Sequence, residues 1–330
     1  MTRPQSDISP HAFRNSLQTA LMIAGMFALL LALGVMLPGR DTLFYVLAAG
    51  LAALFVARRV AAGWVLRMYG ARRIEAAEAP RLHWLIEELQ QRAGIPVRPE
   101  LYYIPSSAPN AFVVGTPREV SIALTDGLLR QLDLRELGAV FAHETAHVKH
   151  RDMYVMGLSD VLMRLTNALS LFGQLFLLVN LPLYFFGLME IAFWPILLLI
   201  VAPNVAALLQ SALSRTREFE ADRAAVHLSG DPDALMTALQ KIETANRNLL
   251  EVILMPGRRS PEPSALRTHP PLRQRLQRIA AEAQHTTLEH PPLIDARPRF
   301  MYHLHDDAHL PRYFERITRP PVWRVSGLWY

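Results

Sequence analysis

Residues 16–37, SLQTALMIAGMFALLLALGVML, contain no charged side chain. A helix needs roughly 20 apolar residues to cross a bilayer. Lipid offers no hydrogen-bonding partner, so such a segment must satisfy its backbone internally, as a helix does. The run therefore reads as a membrane-spanning helix. A second run, 42–57 (TLFYVLAAGLAALFVA), is shorter and follows a PGRD break. Two more lie mid-chain, at 168–187 and 191–210. Pro182, Pro195 and Pro203 are tolerated there because lipid-embedded helices accommodate such kinks. A cleaved signal peptide fits the first run poorly, since the run is long, starts well inside the chain and is soon followed by another. The alternative for the middle pair is a helical hairpin buried in a large soluble core.

Arginine placement orients these runs. Arg3 and Arg14 precede the first, while Arg58, Arg59, Arg67, Arg72 and Arg73 crowd the segment after the second. Arg40 in the 38–41 connection is offset by Asp41, and the turn between the middle runs holds only Glu190. Positively charged flanks stay cytoplasmic. The expectation is about four transmembrane helices in two hairpins, with both termini and all polar segments on the cytoplasmic side.

The chain has 330 residues, 51% of them hydrophobic, so it can bury a sizeable core in one or two domains. Net charge is +5, almost all of it from arginine, with Lys149 and Lys241 the two lysines. No nucleic-acid-binding signature accompanies that charge, and no nucleic-acid partner is expected. Cysteine is absent, which excludes disulfides, thiolate metal sites and a cysteine nucleophile. Any metal site must be built from histidine and carboxylate.

The polar segments read as an α+β unit. Helical periodicity runs through 78–95, with Pro80 near the start and Gly94 at the end. ELYYI (100–104), NAFVVG (110–115) and EVSIAL (119–124) read as strands. A helix then begins near Asp133, where Glu136 completes a capping box. Further helices are expected from about 212, over 231–250 and over 269–284, separated by a Pro/Ser/Arg loop at 256–268. The domain division expected is 1–74, a transmembrane hairpin with its basic flank; 75–160, the first part of a polar domain; 161–211, a second hairpin; 212–285, the rest of the polar domain; and 286–330, a tail without an assigned fold.

The Asp133 helix carries AVFAHETAHVKHRD (139–152). His143 and His147 are four apart, so their imidazoles share a helix face and can share a cation. Glu144, beside the first of them, lies off the ligand axis yet within reach of a water on the metal, the H-E-x-x-H arrangement. With 12 His and 29 acids in 330 residues, chance supplies H-[D/E]-x-x-H roughly 0.04 times, so coincidence is a poor account. His150 is too near in sequence to converge on the same ion from one straight helix. A catalytic zinc needs a third protein ligand and an open position. REFEAD offers Glu218, Glu220 and Asp222; Glu218 and Asp222 share a face while Glu220 points away. One of that pair can bind metal while the other accepts a hydrogen bond from a ligand imidazole.

NAFVVG, GLLRQLDLRELGAVFAHETAHVKHRD, SRTREFEADRAA and THPPLRQRL occur in that order over roughly 75–285. Together they resemble the HtpX-like membrane zinc metallopeptidases, relatives of CAAX prenyl protease 1. The resemblance implies a mostly helical α+β fold: a zincin-like metallopeptidase domain, with a small antiparallel or mixed sheet, attached to the membrane helices. It implies one catalytic zinc ion held by His143, His147 and Glu218, with Asp222 behind them and Glu144 as general base. Asn110 and Ala111 would line the substrate cleft and offer a backbone edge. His269 and Arg275 fall on the family's His-Pro block, where His269 is a candidate oxyanion donor or a helix-start residue; His150 and Asp152 are read as structural. Val113 and Val114 depart from the smaller or polar residues common in that strand.

By analogy the resemblance also implies an endopeptidase of a bacterial inner membrane, acting at the cytoplasmic face on polypeptides, misfolded membrane proteins among them. Two competing readings remain. An intramembrane metalloprotease would bury the motif in lipid, but Arg135, Glu136, Lys149, Arg151 and Asp152 surround it, and charges at bilayer depth are expensive. A catalytically silent membrane scaffold or metal-binding protein would have no need of Glu144.

Overall fold

The computed structural model describes residues 10–36, 48, 62–116, 119–188, 193–253, 270–285 and 287–294. Along the chain these form α1 (Pro10–Met36), α2 (Ala62–Met68), β1 (Arg72–Arg73), α3 (Pro80–Ala93), β2 (Glu100–Ile104), β3 (Ala111–Thr116), β4 (Glu119–Thr125), α4 (Asp126–Gln131), α5 (Leu134–Lys149), α6 (Asp152–Phe185), α7 (Phe193–Ser229), α8 (Pro232–Ile253) and α9 (Leu272–His285). Two compact units result, Met1–Arg59 with Tyr154–Thr216, and Val60–Met153 with Arg217–Tyr330.

The first unit is helical. Among the described residues three helices are long and apolar enough to cross a membrane: Arg14–Val35, Asp152–Phe185 and Phe193–Ser229. Only 11% of the most apolar window of α6 is buried inside the protein, and Phe172, Val179 and Phe185 on it are exposed. In water such a surface would be a large uncompensated apolar patch; in lipid it is solvated. Interhelical contacts use small and polar groups. A Cβ on Gly173 would lie 2.3 Å from the Leu199 side chain, and Ser170 and Gln174 donate to the Leu199 carbonyl. The second apolar run, 42–57, lies outside the described residues apart from position 48. Helices α6 and α7 both extend well beyond the runs at 168–187 and 191–210. Nothing between 210 and 229 breaks a helix, so the apolar stretch and the polar REFEAD segment form one rod.

The second unit contains a mixed sheet of order β1-β2-β4-β3. Central β4 pairs in parallel with β2 and antiparallel with β3, and β1 pairs antiparallel with β2. Residues Val120–Thr125 are all buried, as a strand covered on both faces requires. The two-residue β1 was not anticipated; both of its arginines are exposed, so no hydrophobic period marks it. Leu101, Ile122 and Leu124 pack with Leu85, Ile86 and Leu89 of α3 and Phe141 of α5 in one core cluster.

The start of α5 is fixed chemically. The Glu136 N–H donates to Asp133 at 2.8 Å, and the Asp133 N–H donates to the Glu136 carboxylate at 3.0 Å, the reciprocal pair anticipated from sequence. Lys241 of α8 also donates to Glu136, at 2.7 Å. From Glu136 to Ala146 the helix is buried at every position. A helix enclosed on all sides cannot rotate about its axis without disrupting several packing interfaces.

Two glycines of this unit should respond oppositely to alanine. A Cβ at Gly127 would lie 2.1 Å from the Ser107 carbonyl oxygen, a backbone atom. At helical Gly138 the nearest atoms are the flexible ends of Leu293 and Leu85, 3.4 Å away. Gly127→Ala is expected to destabilise by about 1–3 kcal/mol or more. Gly138→Ala should be neutral or stabilise by up to about 1 kcal/mol. Unfolding midpoints in detergent compare the two.

Candidate metal centre and cleft

Helix α5 sets His143 and His147 one turn apart, with ring centroids 4.8 Å apart and planes at 89°. Their Nε2 atoms face each other at 3.2 Å. Glu218, from α7, closes the group: Oε2 lies 3.5 Å from His143 Nε2 and Oε1 lies 3.8 Å from His147 Nε2. One ligand atom from each of the three residues falls within 4.8 Å of the others.

The opposite ring nitrogens explain why this arrangement suits a cation. His143 Nδ1 lies 3.1 Å from Asp222 Oδ1, and His147 Nδ1 lies 2.7 Å from Asp152 Oδ2. A carboxylate holds the imidazole proton on Nδ1, leaving the lone pair on Nε2. Two such nitrogens at 3.2 Å need positive charge between them, and the carboxylate beside them strengthens that need: without a metal a shared proton supplies it. A divalent cation would replace that proton and engage all three groups at once. Zinc–ligand bonds of about 2.0–2.1 Å in a tetrahedron put ligand atoms about 3.3 Å apart, close to the spacings seen here. His143 reports the same potential. Burial works against charging its ring, but Asp222 and Glu218 outweigh burial and raise its pKa to about 10. The donor set fits zinc.

Behind the ligand atoms lies a buried charge network. Arg275, from α9, donates Nε and a terminal nitrogen to the two Asp222 oxygens at 2.7 and 2.6 Å, a bidentate pair. Another Arg275 nitrogen lies 3.7 Å from Glu218. Burial opposes ionisation of Asp222, yet Arg275 and His143 hold its carboxyl below the usual range. On the other side Arg217 pairs with Asp152, and with Glu220 at 2.6 Å. Glu220 is thus turned away from the imidazoles, as its helical position implied.

Asp152 is the residue whose role sequence reasoning understated. Its place after the motif suggests a structural residue, but it is buried and bonds directly to His147. A carboxylate five residues beyond a candidate ligand was the available signal. The intervening Arg151, at φ 57°, reverses the chain there and makes the contact possible. His150 ends α5 and stands outside the three-residue group. His269 lies outside the described residues.

Beside these residues opens a cleft of about 230 Å³. Asn110, Ala111, His143, Glu144 and Arg275 line it, together with apolar residues of α8. Glu144 is nearly buried. Asn110 is held by Thr125, whose hydroxyl accepts from the Asn110 N–H at 2.8 Å. β3, which follows, pairs with β4 alone among the described strands and leaves its other edge open.

Residues 76–283 match Peptidase family M48. The chain belongs to that peptidase family, and its three membrane-capable helices make it an integral membrane protein. It is 38% identical over 237 residues to a Protease HtpX homolog of Methylibium petroleiphilum, covering 69% of this chain and 80% of the relative. A Protease HtpX homolog of Burkholderia ambifaria is 39% identical over 236 residues, covering 69% and 79%. Among solved structures, Ste24p of S. mikatae aligns with a TM-score of 0.44 and 23% identity, over 81% of this chain and 64% of that one.

The geometry singles out Asp152 for substitution. Asp152→Asn leaves the side-chain shape but removes the charge that orients the His147 ring. Loss of such an outer partner commonly lowers metal affinity about 10–100-fold. Zinc titration against a chromophoric chelator should show a fall of that size.

Proposed function

We propose that this chain is a zinc-dependent endopeptidase in which His143, His147 and Glu218 hold the ion and Glu144 is the general base. The observation that carries the reading is the convergence of those three donors beside a cleft that Glu144 also lines. When bound, zinc supplies Lewis acidity, lowering the pKa of a water from about 15.7 to near 7 and polarising the scissile carbonyl. Glu144 takes a proton from the attacking water on its carboxylate and passes it to the departing amine. Asp222 and Asp152 keep the two imidazoles in the tautomer that offers Nε2 inward. Arg275 holds Asp222 ionised and limits the spread of negative charge toward Glu218. Asn110, Ala111 and the open edge of β3 bind an extended peptide by strand pairing. His269, in the His-Pro segment, is proposed as the donor that stabilises the oxyanion, a contribution often worth about 3 kcal/mol.

The segments 75–160 and 212–285 are taken as one metallopeptidase domain, and 1–74 and 161–211 as its membrane anchor. By the arginine distribution that domain faces the cytoplasm, and by analogy with the relatives the membrane is a bacterial inner membrane. The site then lies where misfolded membrane proteins present their cytoplasmic segments, and a role in membrane-protein quality control follows.

Glu144→Gln tests the chemistry. The variant should bind one zinc ion per chain, as measured by elemental analysis, while cleavage of an unfolded substrate falls at least about 100-fold. A chelator should abolish wild-type cleavage and added zinc restore it. Near-normal turnover by Glu144→Gln removes it as base. The absence of cysteine allows a clean test of orientation. A single cysteine at exposed Thr237 should react with an impermeant maleimide in inside-out vesicles and stay unlabelled in intact spheroplasts.

A further inference from the structure

After α9 comes a short irregular segment, 287–294, beyond the residues that match the peptidase family. It is fastened at several points. Arg92 of α3 donates to the Pro291 carbonyl at 2.8 Å and, through the same nitrogen, to the Leu228 carbonyl at 2.9 Å. The Leu293 N–H donates to the Ser229 carbonyl at 2.9 Å. Gly230, at φ 67°, meets this backbone so closely that a Cβ on it would lie 2.4 Å from the His290 oxygen. Leu288, Leu293 and Ile294 pack against the main core cluster. Backbone groups satisfied in this way make the segment part of the fold.

The points of attachment have one thing in common. Leu228 and Ser229 close the last turn of α7, the helix that carries Glu218. Gly138 belongs to α5, the helix of both histidines, and a Cβ on it would lie 3.4 Å from the Leu293 side chain. Leu293 therefore touches both ligand-bearing helices, one through its amide and the other through its side chain. At the same corner Asp231 accepts from Arg135 of α5 at 2.7 Å and from the Ala234 N–H of α8 at 3.0 Å.

A metal group divided between two helices depends on their separation. Zinc accepts its ligands only within about 0.2 Å of ideal distances. Ser229 lies eleven residues beyond Glu218, about 16 Å along the helix axis. A fastening there restrains the tilt of α7 against α5. None of the residues 287–294 lines the cleft, so the segment acts through the helices and not on substrate.

Resting on the zinc reading above, we propose that Leu293 is a positioning residue. With the rest of 287–294 it holds α5 and α7 at the separation that brings His143, His147 and Glu218 together. Coupling between two sites is reciprocal, so zinc at the centre tightens the hold on the segment.

The test uses the full-length protein in detergent, stripped of metal and titrated with zinc against a chromophoric chelator. Leu293→Ala should weaken zinc binding about 2–30-fold, the range over which remote contacts couple to a site. Leu293→Met keeps the side-chain volume and should stay within about twofold of wild type. So should Glu289→Ala, an exposed position of the same segment. Cobalt-loaded Leu293→Ala should show an altered visible spectrum, which reads ligand geometry and not stability. A lowered unfolding midpoint with zinc affinity and cobalt spectrum unchanged overturns the proposal. Hydrogen exchange of wild type, followed by mass spectrometry, tests it even where Leu293→Ala misfolds. Zinc should slow exchange across 287–294 as well as in α5 and α7. Slowing confined to the two helices overturns the positioning role and leaves the zinc reading intact. Absence of zinc binding by wild type removes both.

Discussion

Two imidazole nitrogens 3.2 Å apart, with a carboxylate beside them, form an arrangement that demands positive charge at its centre. The raised pKa of His143 expresses that demand, and a bound cation would meet it. The surrounding architecture maintains that arrangement. Asp222 and Asp152 fix the outer nitrogens, Arg275 and Arg217 neutralise those acids, and the enclosed helix α5 prevents the rings from turning apart. Removing either arginine would leave a buried carboxylate without its main counter-charge, which is why the network involves four elements rather than one.

The helices that supply this network have unequal surroundings. α5 is buried at every position from Glu136 to Ala146, with His147 half-buried at the site, so its register is set by packing. α6 and α7 are continuous rods that combine long apolar stretches with polar ends, and each contributes a charged group from its polar end: Asp152 opens α6, while Glu218 and Asp222 lie in the last part of α7. Two membrane-capable helices thus carry parts of a hydrophilic centre. Membership of Peptidase family M48 gives that centre its chemical context.

The cleft beside this centre has a mixed lining. His143, Glu144 and Arg275 border it on one side, and α8 contributes Leu235, Leu239 and Ile242 together with Glu243 and Asn246. Helix α8 also reaches Glu136 at the start of α5 through Lys241, so the cleft wall and the histidine helix share one packed frame.

Much of this was readable from residue order alone. Runs long enough to span lipid, the strands at 100–104, 110–115 and 119–124, the capping box at Asp133, and the His143–Glu144–His147 spacing all depend on local periodicity or on hydrogen bonds a few residues apart. Such signals survive in one dimension. The two-residue β1, the burial of Arg275 against Asp222 and the bond from Asp152 to His147 do not, because each depends on which backbone positions meet in space. Spacing could nominate Glu218 and Asp222 together, since both lie on one helix face, but it could not say which would turn toward both rings. The amino-acid sequence determined which groups were available and how each helix would display them. Tertiary packing alone decided which of those groups converge, because charge–charge contacts in a dry interior are decided by distances of a few ångströms that no linear spacing encodes.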